Sequence, residues 1–182
     1  MNRIIAAFFA LLLLSTASPV ATQAQDAKQS CGFCGMDRQK FAHSAMLIEY
    51  EDGSTAGSCS IHCAALELAL NLDKTPTKIL VGDYLSKKPI NAEKACWTIG
   101  GDQPGVMTAR AKWSFEDRNE CEKYSKEHGA QVATFDQALN AAYEDMYADT
   151  KMIRDRRKAK RAQQGQAGGM PPAPHGHGEQ HK

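Results

Sequence analysis

Six cysteines are spread unevenly along the chain, and four of them fall into two short motifs. Cys31-Gly32-Phe33-Cys34 has the two-residue gap that sets both thiols on one side of a tight turn, a spacing shared by zinc knuckles and redox dithiols. Cys59-Ser60-Ile61-His62-Cys63 opens an apolar helical pattern, so Cys63 lies one turn beyond Cys59, near the positive end of the helix dipole. That position favours thiolate, the form of sulfur that binds metal. His62, Met36 and Met107 add an imidazole and two thioethers.

Donor softness separates the metals such a set would hold. Thiolate with thioether selects Cu(I), whereas zinc takes thiolate and imidazole and gains little from a neutral sulfur. Cys31, Cys34, Met36, Cys59, His62, Cys63 and Met107 are therefore the candidate metal residues, for Cu(I) if the thioethers join and for Zn(II) if the four thiols act alone. Disulfides within either motif would compete with metal. Cys96 and Cys121 read as structural, either paired with each other or as buried thiols. No Ser-His-Asp set, phosphate loop or paired carboxylates stand in a recognisable active-site context, so the expectation is a binding protein and not an enzyme.

The elements that must position these residues form two passages in the same order. The first has an extended run at 45–50, an Asp52-Gly53 turn, a second run at 54–59, a helix over 61–72 and a strand at 78–81. The second has a strand at 94–99, a Gly-rich turn, a strand over 106–113, a helix over 116–128 closed by Gly129, and a strand at 131–134. Thr134 and Gln137 make a capping box for a last helix bearing Ala138, Leu139, Ala142, Tyr143 and Met146 on one face. The expected fold is α+β, with two pseudo-repeated strand-strand-helix-strand lobes, a C-terminal packing helix and a disordered tail.

The chain divides accordingly. Residues 1–24 read as a secretory signal peptide, with Arg3, an apolar run over 4–14 and small residues at Thr22-Gln23-Ala24. Lobe one covers 25–85, and lobe two with its packing helix covers 86–150. Residues 151–182 hold a basic run and a Gly/Pro/His-rich end with His175, His177 and His181, suited to scavenging borderline cations. All six cysteines follow the proposed cleavage site, which places them in a periplasmic or otherwise exported, oxidising compartment. Lys28-Gln29-Ser30 before Cys31 is no lipobox, so a soluble mature protein without lipid anchor or transmembrane segment is expected. Twenty-two Lys and Arg balance 21 Asp and Glu, which argues against a dedicated nucleic-acid binder.

Several of these segments together resemble the NosL family, accessory proteins of nitrous oxide reductase. They are Cys34-Gly35-Met36 before a hairpin, the Cys59 to Cys63 helix start, Val81-Gly82-Asp83-Tyr84, Ile90-Asn91-Ala92-Glu93, Gly105-Val106-Met107-Thr108, Trp113-Ser114-Phe115 and Glu127-His128-Gly129. The resemblance covers about residues 31–140 in order. It implies a two-lobed fold and a periplasmic Cu(I) chaperone without catalysis, which takes copper from a donor protein or transporter. The client it implies is nitrous oxide reductase, at its copper-sulfide centre, or another periplasmic copper protein. It also implies that Met36 and Met107 bring copper ligands from the two lobes. The early cysteine with a later Cys-x3-Cys pair is similar to small treble-clef metal-sensing modules as well, and a heavy-metal or zinc module, or a thiol-disulfide redox protein using Cys31 and Cys34, stands as the alternative.

Overall fold

The computed structural model describes residues 29–167; the leader over 1–24 and the histidines of the C-terminal end lie outside the described residues. Strand β1 (Met46–Tyr50) alternates buried and partly exposed positions, the pattern of a strand with one face on a core. It turns at Gly53, whose φ of +78° suits glycine, into the antiparallel β2 (Thr55–Ser58). Helix α1 (Ile61–Leu70) follows, and β3 (Pro76–Gly82) then pairs with the free edge of β1. The second lobe repeats this layout with β5 (Cys96–Gly100), β6 (Lys112–Phe115), α2 (Arg118–His128) and β7 (Ala130–Ala133). The sheet orders, β2-β1-β3-β4 with β4 at Pro89–Asn91, and β6-β5-β7, place the first strand of each lobe between its hairpin partner and its post-helix strand. The α+β class and the pseudo-repeat are thus both present.

The helix boundaries follow local chemistry. Asp117 caps α2 by accepting from Asn119 N and Glu120 N, and Gly129 ends it at φ +65°. The capping box forms reciprocally, Thr134 N donating to Gln137 Oε1 at 2.9 Å and Gln137 N donating to Thr134 Oγ1 at 3.3 Å. It opens α3 (Phe135–Ala167).

Two features differ from the sequence reading, and a third settles a point it leaves open. Strand β4 (Pro89–Asn91) lies beyond the expected boundary at 85, yet it pairs with β3 and so belongs to the first sheet. Residues 106–111 are not strand. Gly105 packs so tightly that a Cβ would lie 2.5 Å from Thr108 Cγ2, and Met107 takes a left-handed φ of 62°. Finally, the basic run continues α3 to Ala167, which decides between the two states the sequence leaves open for it, a solvated extension of the helix or disorder, because Lys, Arg, Ala and Gln are good helix formers with no proline to interrupt them.

The lobes meet along the end of β3. Ser114 Oγ donates to Gly82 O at 2.8 Å, Tyr84 N donates to Ser114 O at 2.8 Å, and the buried Asp83 accepts Glu116 N at 2.9 Å. Gly82 is required there, since a Cβ would lie 1.7 Å from Ala42 O. One apolar cluster joins Met46, Ile48 and Val81 of the first lobe to Trp97, Phe135 and Ala142. A second, described next, contains the sulfur.

Candidate metal centre

The Cys31 to Met36 segment closes on itself as a knuckle. Cys31 N donates to Met36 O at 2.8 Å, Gly35 N donates to Cys31 O at 2.9 Å, and Gly35 supplies a φ of +73°. Cys59 follows β2 directly and Cys63 is the third residue of α1, while Ser44 Oγ donates to Cys59 O at 2.8 Å and fixes that corner to the loop before β1. The result is one cluster. The Sγ atoms of Cys31, Cys34, Cys59 and Cys63 all lie within 4.8 Å of one another. Cys34 Sγ is 3.4 Å from Cys59 Sγ, and Cys59 Sγ is 3.8 Å from Cys63 Sγ. The 3.4 Å contact joins the two motifs, so the knuckle and the helix start act as one unit. Cys31, Cys59 and Cys63 are buried, and Cys34 alone of the four is half-exposed.

Packing four thiols together divides their protons. Hydrogen bonding from Cys59 and Cys63 holds the Cys31 thiol well below its ordinary range, against the opposing effect of burial. The neighbouring Cys31 sulfur, aided by burial, pushes Cys59 and Cys63 above that range. Without metal the arrangement therefore favours thiolate at Cys31 and thiol at Cys59 and Cys63, and a soft cation that binds the latter two sulfurs must displace their protons.

The remaining sulfur and nitrogen donors are disposed differently. Met36 and Met107 are half-buried, and both pack against the apolar cluster that includes Cys31, Cys59 and Cys63. The two thioethers come from different lobes. His62 does not join the four-thiol group: its Nδ1 lies 3.5 Å from Asp149 Oδ2, with both side chains buried. The helical turn that brings Cys63 back to Cys59 points the intervening His62 toward α3. Burial shifts its imidazole toward the neutral form, opposed by the Asp149 carboxylate. Cys96 and Cys121 form a disulfide between β5 and α2, which settles the alternatives left by sequence.

Asp149 was not singled out in the sequence. Its Oδ1 accepts Ala109 N at 2.9 Å, so one buried carboxylate on α3 touches the Met107 loop and faces the residue beside Cys63. Nearby, Asp145 Oδ2 accepts Lys112 Nζ at 2.6 Å and Arg110 Nε at 2.9 Å, fastening the other end of that loop to α3. The available signal was an acidic residue in register with the buried Ala138 and Ala142 on the inward face of a helix.

The family model NosL matches residues 22–143. The HTH-type transcriptional repressor CutR of Bacillus subtilis (strain 168) is 30% identical over 135 residues, covering 73% of this chain, and the chain spans 65% of that relative's length. The crystal structure of the copper chaperone NosL from Shewanella denitrificans aligns with a TM-score of 0.49 and 24% identity, over 65% of this chain and 96% of that one. Because the family model covers well over half of the residues, including all four clustered thiols and Met107, the chain belongs to the NosL family.

Proposed function

We propose that this protein is an exported Cu(I)-binding chaperone that delivers copper for assembly of a metal centre, that of nitrous oxide reductase or another periplasmic client. The observation that carries this reading is the convergence of four thiols on one apolar cluster shared with two thioethers. Such a soft donor set retains Cu(I) in a compartment where harder ligands would not. Three thiols are enclosed and Cys34 is half-exposed, so an incoming donor reaches the ion from the Cys34 side. Transfer then proceeds by ligand exchange, one protein sulfur leaving as a client ligand enters, with no acid-base step. The Cys96–Cys121 disulfide and the apolar run over 4–14 support export. Among the described residues no helix is long and apolar enough to cross a membrane.

The test is Cu(I) and Zn(II) affinity of anaerobically prepared protein, with the double substitution Met36→Ser and Met107→Ser. The expected result is one Cu(I) per chain, bound about tenfold or more weakly in the double variant, with Zn(II) affinity unchanged. Unaltered Cu(I) affinity would remove the thioethers from the site. One observation favours a second reading: four mutually close thiols are by themselves a complete tetrahedral zinc set. Protein isolated without added metal would then carry tightly held zinc. A redox role for Cys31 and Cys34 would instead show thiol exchange that tracks their potential in the absence of metal.

A further inference from the structure

Helix α3 extends well past residue 143, where the family match ends, and its outer face has a character of its own. At 100° per residue, Tyr143, Tyr147, Lys151, Arg154, Lys158 and Arg161 fall within a sector of about 80°. All six are exposed, Tyr143 to 41% and Tyr147 to 84%. None of the four cations makes an ion pair among the described residues. The opposite side of the helix carries the buried Ala138, Ala142 and Asp149, so the stripe is held in a fixed orientation by the fold.

Its location matters as much as its charge. Arg157, at the border of the stripe, places Nη2 within 3.5 Å of the Cys34 carbonyl, and Cys34 is the half-exposed thiol of the cluster. The stripe therefore runs beside the side from which the metal is reached. Tyrosine and arginine are the residues enriched at protein contacts. A helix lying in a membrane needs Trp, Phe or Leu to enter the acyl region, and the stripe has none. We infer that this cationic, tyrosine-bearing face of α3 docks an acidic protein surface and thereby sets the partner's own soft ligands against the Cys34 side of the thiol cluster. The inference rests on the metal-cargo reading and names the chemistry of the transfer partner.

The test uses two synthetic helical acceptor peptides with the same Met-Met-His copper motif, one flanked by glutamates and the other by glutamines. Cu(I) transfer from the loaded full chain is followed by stopped flow. The acidic acceptor is expected to gain about tenfold in rate at low ionic strength, and high salt should abolish the gain. The variant K151Q/R154Q/K158Q/R161Q should lose this advantage. The variant K78Q/K94Q/K123Q/K126Q, with the same charge change on other elements, should keep it. No preference for the acidic acceptor, or equal loss in both variants, would overturn the proposal. So would stripe-dependent binding to phosphatidylcholine/phosphatidylglycerol vesicles without any peptide preference, which would assign the face to lipid. Should the chain take up no Cu(I), the cargo reading fails separately: the glutamate peptide with its Met and His replaced by Ala still reports whether the stripe docks an acidic surface.

Discussion

Both lobes place their first strand at the centre of the sheet and run from the hairpin into a helix, yet their sulfur does opposite things. Lobe two opens its central strand with Cys96, which reaches Cys121 near the start of α2 and is consumed in a disulfide. Lobe one opens its central strand with Met46, a buried thioether of the apolar core, and Cys63 near the start of α1 remains a free thiol. A knuckle carrying Cys31 and Cys34 then supplies two more thiols, whereas the residues before β5, Ala92-Glu93-Lys94-Ala95, carry no sulfur. One scaffold thus holds a covalent staple and a reactive cluster. Which of the two forms depends on whether a thiol on the strand faces a thiol on the helix.

The contrast breaks most completely if the cluster loses the two sulfurs of the corner between β2 and α1. Cys59→Ser with Cys63→Ser should weaken Cu(I) by more than about a hundredfold, because losing direct ligands exceeds the loss caused by perturbing their outer partners. Competition against a chromophoric Cu(I) chelator measures this, and mass spectrometry should find the Cys96–Cys121 bond intact. Retained affinity would mean that the knuckle alone binds the ion.

Removing the staple should act on stability and leave the site in place. Cys96→Ala with Cys121→Ala, residues separated by 25 in sequence, should lower unfolding free energy by about 3 kcal/mol in denaturant titrations. Metal stoichiometry should be unchanged. A parallel fall in bound copper would show that the second lobe's staple also holds the Met107 side of the site.

The smallest effect concerns pH. Cys59 and Cys63 are raised above the ordinary thiol value of 9.0, so above that pH the unfolded chain sheds protons that the native cluster keeps, and metal-free protein loses stability as pH rises. Cys31 is shifted the other way: its contribution grows as pH approaches 9.0 and is complete above it. Stability of the metal-free form attributable to the cluster should therefore peak near the thiol value. The loaded form should lack the alkaline fall, since coordinated thiolates have no proton to lose. Loading at neutral pH should release protons from Cys59 and Cys63 if both sulfurs bind, and metal uptake without proton release would indicate that neither serves.

Much of the frame was legible in the sequence because it rests on contacts a few residues apart. The Asp52-Gly53 turn, the Gly129 stop and the Thr134-Gln137 box each act within one turn of chain, and each appears where the residues place it. The Met107 loop was misread as strand, since an apolar pattern does not reveal that Gly105 folds tightly against Thr108 and Ala111. His62 looked like a ligand by proximity in sequence; its Asp149 partner lies 87 positions away on another helix.

By itself, then, the sequence determined the order of elements other than β4, the pseudo-repeat, the family and the two sulfur motifs, because hydrogen-bonding periodicity and turn chemistry are local. Tertiary structure alone decided that the knuckle and the α1 start form one four-thiol cluster, that Cys96 bonds Cys121, and that α3 crosses from the Met107 loop to Cys34. Those outcomes depend on which apolar faces bury together across long loops, and in that packing a sulfur either meets a second sulfur or stays free to hold a metal.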